Sequence, residues 1–136
     1  MKEKERAMLN RLNRFFISDI LIEDSYEYNR FDAENKSYIL ELKYRHKHYN
    51  DTIIEFDKFS YNLLYANELN KWFIYAVQMG GRIYVYNITK MYYEDNYNFD
   101  WEFRKLPKQT EFSNNQDVYK YVGYLPISKA VNSFSL

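Results

Sequence analysis

The chain has 136 residues, and its 19 basic and 19 acidic side chains leave no formal net charge. This length suits one domain with a single core, and the lack of cysteine excludes a disulfide framework and thiolate metal sites. A protein that coats nucleic acid would normally carry a basic excess. Any contact with nucleic acid must therefore use a local basic patch or bound cations.

No segment approaches the roughly 20 apolar residues of a membrane-spanning helix. The charged N-terminal segment does not resemble a signal peptide. We therefore expect a cytoplasmic protein without membrane association. The abundance of Tyr, Phe, Asn, Lys and Ile is typical of an AT-rich genome such as that of a phage, whose product would act in the host cytoplasm.

Hydrophobic periodicity in the first 45 residues predicts one helix followed by three strands. The helix covers residues 3–16, and its apolar stripe consists of Met8, Leu9, Leu12, Phe15 and Phe16. The strands are predicted over residues 20–22, 26–33 and 38–45, the last of which is rich in strand-forming side chains.

The central part of the chain predicts a second helix and a hairpin. The segment Thr52-Ile-Ile-Glu55 matches a capping box, in which the Thr and Glu side chains bond to each other's backbone N–H groups. A helix is therefore predicted from there to about residue 70. Strands follow over residues 72–79 and 82–88, and Gly80-Gly81 between them favours a two-residue turn with positive φ.

Beyond residue 90 the pattern is weaker. Residues 91–115 are rich in Tyr, Asn and Asp without a clear period, and residues 118–127 predict a final strand. We predict a single domain, with residues 1–90 as its core and residues 91–136 as an irregular insertion and C-terminal strand that complete it. The order α-β-β-β-α-β-β predicts an α+β fold with a mixed central sheet flanked by helices.

Two acids and a lysine in the second and third strands form a candidate site. If these strands pair antiparallel around a turn at Lys36-Ser37, Asp32 lies opposite Glu41, and Lys43 points to the same side as Glu41. The other side then carries only apolar or aromatic side chains, namely Phe31, Ala33, Leu40, Leu42 and Tyr44. A slip of one residue would destroy both faces, so the pattern specifies its own register.

Opposed carboxylates destabilise a sheet unless something compensates their charge. Mg²⁺ is such a compensator, because it takes oxygen ligands from one or two carboxylates and a substrate phosphate. Lys43 would then orient a water molecule or offset charge in the transition state. The alternative is a surface strand in which Lys43 merely neutralises Glu41.

The segment Phe31-Asp32 … Ile39-Leu40-Glu41-Leu42-Lys43 resembles the motif of the PD-(D/E)XK nucleases, with Phe31 in place of the proline. The predicted αβββαβ order of residues 3–88 is similar to the restriction endonuclease-like core of that superfamily, which includes Holliday junction resolvases. The resemblance implies that Asp32 and Glu41 bind a metal ion, that the Leu42 carbonyl is a further ligand and that Lys43 is catalytic.

Two accessory residues are also implied by the resemblance. Many members add a Glu from the first helix, for which Glu5 is the first candidate and Glu3 the second. Several members carry a Lys or Gln on the helix after the motif, and Lys58 matches that position. The alternative for Lys58 is an ordinary solvated lysine on a helix surface.

The segment after the motif predicts a contact with backbone phosphates, through Arg45, Lys47 and Tyr49. It reads equally well as a polar loop. His46 and His48 have a spacing that would suit two zinc ligands, although no third ligand is evident nearby. An aromatic run would either stack on unpaired bases or form core or a dimer interface, and it comprises Tyr84, Tyr86, Tyr92, Tyr93, Tyr97, Phe99 and Trp101.

The sequence therefore predicts a nuclease that uses Mg²⁺ or Mn²⁺ to hydrolyse DNA. So small a core would select a DNA structure (a junction, flap or end), and a homodimer would supply two cuts. No nucleotide-cofactor motif is present. The alternatives are a catalytically inactive nucleic-acid-binding or structural module on the same fold, and a small α+β protein in which the motif is accidental.

Overall fold

In the computed structural model, residues 1–14, 21–24, 30–107 and 117–135 are described. Their elements, in chain order, are α1 (Glu3–Asn13), β1 (Ile22–Glu23), β2 (Ala33–Glu34), β3 (Tyr38–Arg45), β4 (Asp51–Glu55), α2 (Phe56–Glu68), β5 (Trp72–Met79), β6 (Arg82–Asn87), α3 (Ile88–Tyr93), β7 (Glu102–Pro107), β8 (Asp117–Pro126), a 3₁₀ turn (Ile127–Lys129) and β9 (Asn132–Ser135). None of the helices in these ranges has the length and apolar character needed to cross a bilayer.

The main sheet has six strands in the order β1-β2-β3-β5-β6-β9. Strands β3 and β5 are parallel and the other neighbours are antiparallel, which confirms the predicted mixed sheet. Side chains alternate between the two faces along each strand, and both faces of this sheet are buried. Helix α1 packs on one face, against Leu40, Leu42 and Ile74, and α2 covers the other face, against Ile39 and Phe73.

The structure also contains a second sheet of three strands, in the order β4-β8-β7, which the sequence did not predict. Residues 52–55 are part of β4, so the predicted capping box is wrong. Helix α2 begins at Phe56, and the Glu55 side chain makes no capping hydrogen bond. The reason is tertiary, since β4 pairs along its whole length with β8, from Asp51 opposite Pro126 to Glu55 opposite Val122.

The part of the chain predicted to be irregular contains defined elements. Asn87 ends β6 and caps α3, its side chain accepting a hydrogen bond of 3.0 Å from the Lys90 N–H. Residues 102–107 form β7, which pairs with β8. The prediction of an irregular segment is therefore wrong for residues 91–93 and 102–107, whereas residues 94–101 form neither helix nor strand, and residues 108–116 lie outside the described ranges.

The remaining boundaries agree or shift slightly. Strands β3 and β5 have the predicted limits, and Gly80 has the positive φ expected of the hairpin turn. Helix α1 ends at Asn13, whereas the predicted helical residues 15 and 16 and the first half of the predicted strand 26–33 lie outside the described ranges. Phe31 stacks on Tyr65 of α2, on the face opposite to the predicted one, because the β2 ladder begins only at Ala33.

Candidate functional site

The candidate site lies where β2 stops pairing with β3. Ala33 is opposite Leu40 and Glu34 is opposite Ile39, so the predicted register places Asp32 opposite Glu41. The Asp32 N–H donates a hydrogen bond of 2.8 Å to the Leu40 carbonyl. The Asp32 Oδ2 atom accepts another of 2.8 Å from the Leu42 N–H. The Asp32 carboxylate thus occupies the place that a longer β2 backbone would take at the edge of β3.

Glu41 is a buried acid, with only 3% of its surface exposed. Its Oε2 atom lies 2.9 Å from the Lys58 Nζ atom of α2. Burial raises the pKa of Glu41 well above its ordinary value, and the hydrogen bond and negative charge of Asp32 raise it further, against the opposing effect of Lys58. An ionised Asp32–Glu41 pair is therefore costly unless a second positive charge joins it.

Two lysines complete this cluster. Burial lowers the pKa of Lys43, and the positive charges of Arg45 and Lys58 lower it further. Burial also disfavours the charged form of Lys58, but contact with Glu41 outweighs it, so the pKa of Lys58 is raised. Lys43 therefore releases its proton more readily than an ordinary lysine, whereas Lys58 keeps its proton and its positive charge.

Glu41, Lys43 and Lys58 line one cavity of about 70 Å³, and Asp32 reaches it through Glu41. Its volume suits one or two water molecules or a hydrated ion, since water occupies about 30 Å³ in the liquid. The lining side chains come from both sheets and from α2, and they are Glu41, Leu42, Lys43, Arg45, Ile53, Glu55, Lys58, Tyr75, Leu106 and Lys120. Sequence reasoning missed Glu55, Tyr75 and Lys120 as members of this site.

Glu55 belongs to β4, which the sequence assigned to a helix, whereas Lys120 and Tyr75 belong to predicted strands whose pairing was not predicted. Lys120 of β8 lies 2.7 Å from Glu55 of β4, and this contact outweighs burial and lowers the pKa of Glu55. The Tyr75 hydroxyl donates to the Ile53 carbonyl at 3.1 Å. The run of β-branched side chains Thr52-Ile-Ile54 was the sequence signal for a strand that would have placed Glu55 correctly.

Helix α1 brings Glu5 to the same cluster. Glu5 is partly buried, and burial together with the charge of Asp32 raises its pKa. Glu3, the second candidate, lies with Glu5 along a neighbouring groove. The field of the Asp32 carboxylate thus reaches Glu5, the first of the two candidates.

The predicted phosphate-contacting residues are separated by the structure. Arg45 lines the site cavity and an adjacent groove of about 200 Å³, and Tyr49 lines only that groove. Lys47 is exposed and lines neither cavity. Arg45 is therefore the member of this set that is nearest to the acids.

The two histidines point to different partners. The His46 ring packs edge-on against Tyr44, with 5.2 Å between ring centroids. His48 lies 2.6 Å from the Tyr84 hydroxyl. No group of three or more His, Cys, Asp or Glu side chains placed to bind a metal occurs in the described part of the chain, and the zinc alternative has no third ligand there.

The aromatic run is largely structural. Tyr84, Tyr86 and Phe99 are buried in the core, and Tyr97 and Trp101 pack against it. Tyr92 and Tyr93 are exposed on α3. The run therefore does not form one continuous surface on which bases could stack.

The donor set at the site suits a hard divalent cation. Mg²⁺ is bound in proteins by one or two carboxylates, and it retains water molecules or takes phosphate oxygens as its other ligands. Asp32 and Glu41 supply two carboxylates from opposite strands, and their mutual repulsion is what a cation would relieve. The residues present therefore fit such an ion.

No family model matches the sequence, and no curated protein matches it. Among solved structures, the chain is similar to Hjc of Archaeoglobus fulgidus, described as a Holliday junction resolvase from an archaeal hyperthermophile. The TM-score is 0.56, the identity is 13%, and the match covers 97% of this chain and 88% of that one. This likeness confirms the predicted fold.

Proposed function

We propose that this chain, which has the restriction endonuclease-like fold of the PD-(D/E)XK nucleases, is a metal-dependent nuclease that hydrolyses DNA phosphodiester bonds. The observation that carries the proposal is the position of Asp32 and Glu41. Their side chains meet across the β2–β3 pair, one residue before β2 begins, and Glu41 lines one cavity together with Lys43 and Lys58. A purely structural strand pair would gain nothing from two opposed acids at a buried edge.

Asp32 and Glu41 would hold the divalent cation, with the Leu42 carbonyl as a further ligand and Glu5 as an accessory acid. Bound there, Mg²⁺ or Mn²⁺ would polarise the scissile phosphate and lower the pKa of a water molecule. The Leu42 N–H orients the Asp32 carboxylate, and the Lys58 ammonium orients that of Glu41. Both acids are therefore held in place before any ligand arrives.

We assign to Lys43 the role of contacting the attacking water and the scissile phosphate. It follows Glu41 by two places in β3 and lines the same cavity. As a cation, its Nζ atom can donate a hydrogen bond to a phosphate oxygen and offset charge as it develops. Lys58 is a positioning residue, since it acts through Glu41.

The substrate is expected to be DNA of a particular structure, such as a junction, flap or end. The support for this is the similar Archaeoglobus protein, which is described as a Holliday junction resolvase. Arg45, Lys47 and Tyr49 remain the proposed contacts to backbone phosphates near the site. A homodimer would place two such sites on one branched substrate.

The test is cleavage of branched, linear duplex and single-stranded DNA with Mg²⁺, with Mn²⁺ and with EDTA. We expect cleavage that requires the metal and favours the branched substrate. Asp32→Asn, Glu41→Gln and Lys43→Met should each lower the rate by about 100-fold or more, a usual effect of removing a group that acts on the reacting atoms.

Two controls come from the same hairpin. Glu34→Gln removes a carboxylate two places from Asp32 that faces Lys71 instead of the site. Lys36→Met removes an exposed lysine in the turn. Both should cleave at the wild-type rate, whereas wild-type cleavage by Lys43→Met would contradict the proposed role. Binding of DNA without cleavage by the wild-type protein would favour the inactive binding module.

A further inference from the structure

We propose that a basic groove beside α1 binds the phosphodiester backbone of the DNA arm that leaves the candidate site. This inference rests on the proposed function and extends it, since the predicted phosphate contacts all lie at or after the end of β3. The groove, which we call the α1 groove, has a volume of about 520 Å³. Its walls include Lys4, Ala7, Arg11, Arg14, Tyr44 and Gln78.

The charge of the α1 groove favours a polyanion. Lys4, Arg11 and Arg14 contribute three cations, and no acid is among the described residues that line it. The chain as a whole has equal numbers of acidic and basic side chains, so this is a local concentration of positive charge. Such a patch is what an electrically balanced protein needs in order to bind nucleic acid.

The spacing of the cations fits a nucleic-acid strand. Positions 4, 7 and 11 form one stripe of α1, because residues three and four apart lie on the same side of a helix, and the C-cap residue Arg14 continues it with helical φ and ψ. At 1.5 Å per residue, Lys4 and Arg14 are separated by about 15 Å along the helix axis. Phosphates of one DNA strand recur at about 3.4 Å along the duplex axis, so a stripe that lies parallel to that axis would span about four of them.

The α1 groove continues into the candidate site. A smaller groove of about 300 Å³ is lined by Lys2, Lys4, Lys43 and Tyr44, together with the acids Glu3 and Glu5. Lys43 lines both this groove and the site cavity, and Lys4 and Tyr44 line both this groove and the α1 groove. A strand cut beside Lys43 would therefore pass from the acids onto the cations of α1.

Lys4 and Tyr44 form the junction between the two grooves. The Lys4 Nζ atom donates a hydrogen bond of 3.0 Å to the Tyr44 hydroxyl and lies 4.3 Å from the centre of its ring. These contacts hold the ammonium group over β3 instead of leaving it free in solvent. The cation is thus already placed beside the path that a phosphate would follow.

The test is fluorescence anisotropy of labelled branched and linear duplex DNA with the full chain in EDTA, as a function of salt. The variants are Arg14→Gln, the double change Lys4→Gln with Arg14→Gln, and Ala7→Glu, which places an acid at an exposed position in the groove. We expect about tenfold weaker binding at 0.1 M salt for each cation removed from the DNA backbone. The slope of log affinity against log salt should also fall by about 0.9 for each such cation.

Arg6→Gln is the matched control, because Arg6 lies on the other flank of α1 and its guanidinium faces Glu23 at 3.1 Å. It removes the same charge from the same helix and should leave affinity and slope unchanged. The α1 groove proposal is overturned if the groove variants bind like the wild-type protein, if Arg6→Gln weakens binding equally, or if the wild-type protein binds no DNA. Circular dichroism of each variant checks that α1 is intact.

Cleavage with Mg²⁺ separates this proposal from the proposed function. Metal-dependent cleavage by a wild-type protein whose groove variants bind normally would keep the nuclease and reject the groove. Salt-dependent binding that is abolished in the groove variants, without any cleavage, would keep the groove and reject the nuclease.

Discussion

Glu41 is the residue on which the electrostatics of the site depend. It lies in the middle of β3, faces Asp32 across the strand pair and touches Lys58 from α2. Burial is the largest reason that its pKa is raised, so its negative charge costs folding free energy. A sheet with no use for that charge would carry an apolar residue here, as the neighbouring positions Leu40 and Leu42 do.

Replacing Glu41 by Gln should stabilise the metal-free protein at high pH. The folded state holds the Glu41 proton more tightly than the unfolded state, whose Glu pKa is about 4.5. The destabilisation therefore begins as pH rises above that value and is complete above the raised pKa. Thermal unfolding in EDTA should show Glu41→Gln melting a few degrees above wild type at pH 8 and level with it at pH 4.

Glu55 supplies a control, because its pKa is shifted in the opposite direction to that of Glu41. Its pKa is lowered by Lys120, so its charge adds stability that is present above the ordinary Glu pKa and lost as pH falls through the lowered value. Glu55→Gln should therefore lower the melting temperature at pH 8, by an amount that shrinks as the pH falls below the ordinary Glu pKa. If both variants shifted in the same direction at pH 8, the proposed electrostatics would be wrong.

Among the elements, β8 links the second sheet to the site. It pairs with β4 and β7 and supplies Lys120 to the cavity. The aromatic segment before β7 packs over β8, where Trp101 contacts Phe56 and Phe59 with ring centroids 5.0 Å and 4.8 Å apart. These two rings belong to the first turn of α2, the helix that carries Lys58.

Gly123→Ala should destabilise the protein by about 1–3 kcal/mol, the usual cost of overpacking. A Cβ atom at Gly123 of β8 would lie 3.0 Å from the Phe99 Cβ atom and 3.0 Å from the Trp101 ring. Neither neighbour is the free end of a flexible chain, so the backbone or the ring must move. Urea unfolding monitored by tryptophan fluorescence would measure the loss.

Gly81→Ala is the control for this substitution. A Cβ atom at Gly81 meets nothing within 4 Å, and the positive φ of that turn belongs to Gly80. Gly81→Ala should therefore leave stability unchanged or raise it by up to about 1 kcal/mol, through the unfolded state. Equal losses in both variants would contradict the packing argument for Gly123.

At the scale of the whole molecule, the site joins both faces of the main sheet at the edge of β3. Glu5 comes from α1 on one face, and Lys58 comes from α2 on the other. The second sheet adds Lys120 to the cavity. A ligand bound among these groups therefore ties together parts of the chain that are distant in sequence.

A divalent cation should accordingly stabilise the whole fold. A ligand that binds only the folded state adds about 2.7 kcal/mol when present at 100 times its dissociation constant. We expect Mg²⁺ or Mn²⁺ to raise the wild-type melting temperature and EDTA to reverse the rise. The rise should be absent in Asp32→Asn, whose amide oxygen can still accept the Leu42 N–H, and present in Glu34→Gln. No rise in the wild-type protein would argue against an ion at this site.

The hairpin at the centre of the site was predictable from the sequence. Alternation of charged and apolar residues in β3, with the turn at Lys36-Ser37, leaves one register that buries Leu40 and Leu42, and that register sets Asp32 against Glu41. This inference needs only residues close together in the chain. The role of Lys58 rested on resemblance, and its contact with Glu41 became visible only in the packed structure.

The sequence by itself thus determined the strand pair and the side chains that it aims at one point, because local alternation and turn residues specify a register. Only the tertiary structure decided that residues 52–55 form a strand, that Lys120 reaches the cavity and that α1 borders a basic groove. Asp51 pairs with Pro126 about 75 residues later, and no local pattern encodes such a pairing. The physical reason is that backbone hydrogen bonds to β8 stabilise residues 51–55 as a strand more than the capping box would stabilise them as the start of a helix.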